Sequence, residues 1–331
     1  MIITKTPFRM SFCGGGSDLP IFYRKHGGCV LSTTINRYMY ITIHPYFHPN
    51  KTALRYSEIE IVDNIADIHH SIFRHVLQDK GVSGVEISST ADVPSGTGLG
   101  SSSAFTVGLL HTLYCYNSKY VAKEELAREA CGIEIDKLGN PIGKQDQYAA
   151  AFGGLNFINF NRDDSVTVEP VITRTETKAA LERNLIAFYT GLTHDANVIL
   201  DDQQRRCSDE DKTRTMLRMC DIAKDMKQSL ENNKLNGFGE CLHEAWLLKK
   251  KMSEKITVPE IDELYDYALR HGATGGKLLG AGGGGFLLFY CEDYRQSYFL
   301  KAMSDKGFKP FPFKFEHDGT SVVHIGDEYW R

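Results

Sequence analysis

Apolar positions recur at two different spacings along the chain, and the shorter spacing dominates the first ninety or so residues. Met1 to Thr6, Gly28 to Thr34, Tyr38 to His44 and Ile59 to Val62 carry β-branched or aromatic residues between turn signals, which predicts strands. A helix is expected from about Asp67 to Asp79 and a strand over Val85 to Ser88. The apolar stretch Ala104 to Tyr116 is long enough for a buried helix, and a second helix is expected over Lys123 to Asp136. Leu155 to Phe160 and Leu185 to Tyr189 read as strands. From Asp195 to Glu254 the pattern turns helical and polar, and Pro259 opens a helix that ends near His271 and Gly272. Phe286 to Tyr290 is a buried strand, followed by short mixed elements.

Strands and helices are mixed without a regular βαβα alternation, so the expected class is α+β. No fixed-period repeat or low-complexity linker divides the chain. A length of 331 residues suggests two domains, here expected at 1–180 and 181–331.

Composition narrows the partners. A net charge of −4 points to neither nucleic acid nor membrane, and it means that an anionic ligand must be met by local donors. The eight cysteines are scattered with no CxxC pair, which argues against a zinc site or a disulfide framework. The first twelve residues lack the apolar core of a signal peptide, and no uncharged apolar run approaches the ~20 residues of a membrane span, so a cytoplasmic protein is expected.

Four segments carry candidate chemistry. The first is PSGTGLGSSSA, from Pro94 to Ala104. Glycines at 96, 98 and 100 let backbone N–H groups converge, and the following helix brings its positive end to the same spot, so a phosphate suits it. Ser101, Ser102 and Ser103 can cap that helix, contact phosphate or reach a cation. The string lacks the GxxxxGK[ST] of a Walker loop and the GxGxxG of a dinucleotide site. This weighs against an oxidoreductase. The bland alternative is an ordinary loop with a serine cap.

The second segment, PFRMSFCGGGSDLP, places Arg9 and Asp18 nine positions apart. An arginine can stabilise a transferring phosphoryl group, and a carboxylate can accept hydrogen bonds from sugar hydroxyls. Gly14 to Gly16 can also be a plain tight turn, with Asp18 capping a helix. The third is EIDKLGNPIGKQDQYAAAFGGLN, containing Glu134, Lys144 and Asp146. Glu134 and Asp136 would ordinarily lie on a solvated helix face. Lys144 can act on Asp146 or hold a phosphate. The fourth, GATGGKLLGAGGGGFLLF, has glycines at 282 to 285 that permit close backbone approach.

Together these strings, in this order, resemble the GHMP kinases. PSGTGLGSSSA is similar to that family's phosphate loop, roughly PxxxGLGSSA, and PFRMSFCGGGSDLP to its first motif. The resemblance implies an N-terminal ribosomal-protein-S5-like α+β domain and a C-terminal ferredoxin-like α+β domain. It implies ATP as donor and Mg²⁺ as cofactor. Pro94, Gly96, Gly98, Leu99, Gly100 and Ser101 to Ser103 would bind ATP phosphates. Asp146 would take the acceptor's proton beside Arg9, and Glu134 would hold Mg²⁺. Counting from Gly98-Leu99 makes Ser102 the second metal contact, whereas counting back from Ala104 makes it Ser103; Ser102 is preferred. Gly15, Gly16, Ser17, Asp18, Lys144 and Gly283 would meet the acceptor. Thr193 or His194 are further candidates to face it.

Gly15-Gly16 replaces the Glu-His pair of the galactose branch. The strings most resemble the branch that phosphorylates the anomeric hydroxyl of heptose 7-phosphate. That implies a grip on a second, distal phosphate, for which Arg24, Lys25, Arg37, Lys137 and Lys144 are candidates by sequence proximity. A fucose- or galactose-type 1-kinase is the alternative. A non-catalytic ligand sensor is a remoter one, because Glu134, Asp146 and the loop are all present. Nothing in the sequence addresses oligomeric state.

Overall fold

The computed structural model describes residues 1–192, 199 and 209–326. Two sheets organise them. The larger has nine strands and is built around one long strand, β2 (Gly28–Pro45), lying antiparallel to β1 (Ile2–Cys13) along nearly all of its length. The other side of β2 is shared by β5 (Val85–Ala91) and β6 (Leu155–Phe160). Strands β3 (Thr52–Arg55) and β4 (Ile59–Val62) extend the sheet beyond β5, and β7 (Val166–Pro170) pairs with β6.

β1 is longer than its sequence pattern predicts. It runs through Pro7 to Cys13, so Arg9 and Ser11 stand on a strand and not in a loop. Likewise the two strands expected over 28–44 are one continuous strand: pairing with β1 passes from Ile35 to Tyr38 across a bulge that takes up the polar pair Asn36-Arg37.

On one face of this sheet lies α3 (Ser101–Tyr116), which packs on β1 and β2. It is apolar nearly all round, the pattern of a core helix. α4 (Lys123–Cys131) and α5 (Gln145–Phe152) pack against it. Between α4 and α5, Gly132–Lys137 winds as a π-type turn. The wider turn faces Glu134 inward, fully buried, while Asp136 stays exposed. α1 (Pro20–His26) and α2 (Ser71–Lys80) complete this half, and α6 (Thr175–Asn184) leads into the smaller sheet and packs on its strand Leu185–Tyr189.

The smaller sheet has the order β11-β8-β10-β9: Pro310–Phe311, Leu185–Tyr189, Phe286–Tyr290 and Gly275–Leu278. α7 (Glu210–Glu231) packs on β1 and β2 of the large sheet and on α8 (Phe238–Lys250), while α8, α9 (Pro259–Arg270) and α10 (Asp293–Asp305) lie against the small sheet. Trp246 of α8 is fully buried, stacking obliquely on Tyr265 of α9. The chain passes from the large sheet to the small one between β7 and β8. It then returns: β12 (Phe315–Glu316) pairs with β2 and β13 (Ser321–Ile325) with β1. The last strands therefore recross any division drawn near residue 180. Among the described residues, no helix is long and apolar enough to cross a membrane.

Candidate active site

The cleft between the two sheets holds a cavity of about 370 Å³, lined by β1, the Gly96–Ser103 loop, the 140–146 segment, and residues of α7, α8 and β9. Its floor is the second half of β1. Strand alternation aims Arg9 and Ser11 at the cavity, while Met10 turns into the core.

Arg9 makes a two-pronged ion pair with Asp146 from α5, Nε to Oδ1 at 2.6 Å and Nη2 to Oδ2 at 2.7 Å. Its remaining nitrogen donates to the Gly98 carbonyl at 2.6 Å, and its backbone N–H donates to the Leu99 carbonyl. Arg9 thus ties the phosphate loop to the carboxylate of the third motif. The paired groups sit at the start of α3, whose N-cap is Gly100 with no side-chain cap. The bland alternative of a serine cap is therefore not what this loop forms, and the three hydroxyls are left for other partners.

One such partner is Glu134. Ser102 Oγ donates to Glu134 Oε1 at 2.8 Å, and Gln147 Nε2 donates to Oε2 at 2.7 Å. Burial pushes the Glu134 carboxyl above its ordinary range, opposed by hydrogen bonds from Ser102, Ser103 and Gln147. Among the described residues no group of three or more His, Cys, Asp or Glu side chains converges. A hard cation here would therefore be held by few protein oxygens, with phosphate and water filling its shell. A buried acid without a cationic partner, beside a serine hydroxyl, is a donor set that fits Mg²⁺.

Asp18 does not cap α1; Leu19 occupies that position. The Asp18 carboxylate instead accepts from Gly16 N at 2.8 Å and Gln145 N at 3.1 Å. Burial raises its pKa, and these backbone donors offset the rise. A side chain at Gly143 would fall 2.0 Å from Asp18 Oδ2, so only glycine fits there. Gly15 is different: a Cβ there would make ordinary contacts with Gln145 and Ser11, so the missing side chain simply widens the floor.

The fourth motif meets the phosphate loop backbone to backbone. A Cβ on Gly98 (φ +84°) would lie 2.4 Å from the Leu279 carbonyl, and one on Gly280 would lie 2.5 Å from Gly98 Cα. Gly280 and Ala281 line the cavity; Gly283 does not, and its N–H is spent on the Ile256 carbonyl.

The chain matches the models for the GHMP kinases N-terminal domain over residues 67–154 and the GHMP kinases C-terminal region over 226–307. It is 30% identical to a D-glycero-alpha-D-manno-heptose 7-phosphate kinase from Campylobacter jejuni, covering 98% of this chain and 99% of that one. The chain belongs to the GHMP kinase family. Members use ATP as phosphoryl donor, so this GHMP kinase is an ATP-dependent phosphotransferase. Its structure superposes with a TM-score of 0.81 on a D-glycero-D-manno-heptose 1-phosphate kinase from Bacteroides thetaiotaomicron, at 27% identity over 99% of this chain and 100% of that one. A bifunctional fucokinase/GDP-fucose pyrophosphorylase from Arabidopsis thaliana is 25% identical over 87% of this chain but only 29% of its own length.

Within the GHMP kinase cleft stand Arg9, Gly15, Gly16, Asp18, Gly96, Gly98, Gly100, Ser101, Ser102, Ser103 and Asp146, all singled out from sequence. Glu134 lies directly behind Ser102. Five other candidates sit elsewhere. Pro94 does not line the cavity, and its carbonyl accepts from Thr97 Oγ1. Leu99 is buried in the core. Ser17 Oγ is fully engaged with the Cys29 backbone, holding the turn after β1. Gly283 is accounted for above. Lys144 points away, donating to the Asp164 carbonyl at 2.9 Å and lying over the Tyr23 ring.

The proposed distal-phosphate cations are also turned aside. Arg24 pairs with Asp164, Lys137 with Asp79, and Arg37 donates to the Pro312 carbonyl, while Lys25 lies on an outer groove with His26 and Glu210. Thr193 and His194 lie outside the described residues. Sequence reasoning missed Ser11, Asn140, Gln145, Lys249 and Lys277, which line the cavity. Lys277 follows a glycine, Gly276, but lacks the hydroxyl neighbour of a Walker lysine, so the motif search passed over it.

Proposed function

We propose that this kinase transfers the γ-phosphoryl group of ATP to the anomeric hydroxyl of a heptose that already carries a phosphate, with heptose 7-phosphate as the acceptor. The observation that carries the reading is the Arg9–Asp146 pair at the start of α3, beside a cleft whose floor is opened by Gly15 and Gly16. The acceptor hydroxyl gives its proton to Asp146 as its oxygen bonds to the γ-phosphorus. The bond to the bridging oxygen breaks and ADP leaves. Catalysis of this kind is mostly positioning and charge stabilisation. Arg9 orients Asp146 and faces the charge that builds on the phosphoryl oxygens. Ser102 and Glu134 would hold Mg²⁺, which neutralises donor phosphates when bound.

Two relatives support a phosphorylated heptose as acceptor: the Campylobacter protein is named for heptose 7-phosphate and the Bacteroides structure for a heptose 1-phosphate. The fucokinase likeness keeps a free-sugar 1-kinase as the second reading. ADP release with Mg-ATP across free and phosphorylated sugars tests the proposal. Fastest turnover on heptose 7-phosphate is expected. Turnover confined to fucose or galactose would overturn the acceptor, and silence on every sugar would favour a sensor.

A further inference from the structure

Lys277 and Lys249 are cations left without anionic partners inside the cleft. Lys277 stands on β9, is 6% exposed, and donates to the Ser11 carbonyl at 2.6 Å and the Phe12 carbonyl at 3.1 Å. Lys249, near the end of α8, donates to the Gly280 carbonyl. Among the described residues, neither ammonium has a carboxylate within ion-pair distance. An unmatched buried ammonium is costly, so a cleft that places two lysine amines side by side with no carboxylate is arranged for an anion that favours their charged form. A further sign points the same way. Ser11 is 5% exposed, lines the cavity, and its Oγ has no hydrogen-bond partner.

Position indicates which anion. The donor's phosphates have their own cradle in the Gly96–Ser103 loop and Arg9. Ser11 lies two residues further along β1, roughly 7 Å beyond Arg9 and toward the Gly14–Gly16 turn. That separation is comparable with the span of one sugar ring and its exocyclic arm. The basic residues nearest the motifs in sequence are engaged elsewhere or lie on the outer surface.

We propose that Lys277 and Lys249, with the Ser11 hydroxyl, bind the phosphate that the acceptor sugar already carries and so select a sugar phosphate over the free sugar. The inference rests on the proposed function. Charged donors on a dianion explain how a chain of net charge −4 accepts an anionic sugar at all.

The test is the ratio of kcat/KM for heptose 7-phosphate to that for heptose, in wild type and in Lys277→Met, Lys249→Met and Ser11→Ala. Each lysine variant is expected to lower the ratio roughly 10- to 100-fold, the scale of a lost charge-assisted hydrogen bond. The KM for ATP should move far less. Inorganic phosphate should compete with the acceptor in wild type and lose that effect in Lys277→Met. An unchanged ratio, or a loss confined to the KM for ATP, would overturn the assignment. If Lys277→Met does not fold, Lys249→Met and Ser11→Ala carry the same measurement. A wild type that prefers free heptose refutes the functional reading and this site with it. A wild type that prefers the phosphate, with variants of unchanged ratio, refutes the lysines alone.

Discussion

Arg9 and Asp146 are 137 residues apart in the chain, yet they close a two-pronged ion pair at 2.6 and 2.7 Å. The pair joins β1 to α5, and through the Gly98 carbonyl it also fixes the phosphate loop. Three of the sequence motifs therefore meet at one guanidinium.

Asp146→Asn is expected to lower kcat by at least ~10²-fold, the usual scale for a positioned acid–base group. The KM for ATP should change little, because the loop backbone is untouched. Steady-state kinetics at saturating acceptor check this, and near wild-type turnover would remove Asp146 from the proton path. Arg9→Lys should also be severely impaired, since an ammonium cannot make the two parallel bonds.

Glu134→Gln keeps the shape of the buried acid but removes its charge. The Mg²⁺ concentration for half-maximal rate should rise in this variant. Ser102→Ala should shift the same titration more than Ser103→Ala, because Ser102 Oγ donates to Glu134 Oε1 at 2.8 Å. An unchanged magnesium titration in Glu134→Gln would count against its role as a ligand.

Gly98→Ala tests the contact between the phosphate loop and the fourth motif. A methyl group there meets the Leu279 carbonyl and imposes a strained positive φ. A loss of at least ~2 kcal/mol is expected, visible as a lower Tm, together with weaker ATP binding. A variant with wild-type Tm and KM would show that the two segments do not pack as described.

The pH dependence of acceptor capture follows from Lys277. Burial, helped by the like charge of Arg9, pushes its pKa down to about 8. Below that pH the ammonium is charged and attracts the acceptor's phosphate; above it the charge is lost. The kcat/KM for heptose 7-phosphate should therefore fall as pH rises through about 8. Lys249 is lowered as well, by burial and by Lys277 and Arg9, and Asp18 opposes that. The Cys13 thiol, pushed up to about 12 by burial, stays neutral across this window. Lys277→Arg, which cannot deprotonate here, should move the fall to higher pH. An identical profile in that variant would exclude Lys277 as the titrating group.

Much of this architecture is legible in the sequence, and the reason is largely local. Glycine strings are dictated by backbone geometry, so Gly98 and Gly100 can be picked from their neighbours, whereas Asp18 and Asp146 are singled out by the resemblance of their strings to the GHMP kinase motifs. The strand and helix order followed from periodicity. What failed was inference by sequence distance. Lys144 is two positions from Asp146, but α5 begins between them and sends the lysine outward to Asp164. Lys277 and Lys249 are far from the first three motifs and reach the cleft only because the small sheet packs over the end of β1. The inward turn of Glu134 depended on a π-type winding that periodicity does not reveal.

The most direct test of the account is a ³¹P NMR spectrum of the product made from heptose 7-phosphate and Mg-ATP. The account predicts ADP together with a new phosphate signal coupled to the anomeric proton, while the 7-phosphate signal persists. A product phosphorylated at any other oxygen, or no product from this acceptor alongside turnover of a free sugar, would contradict it.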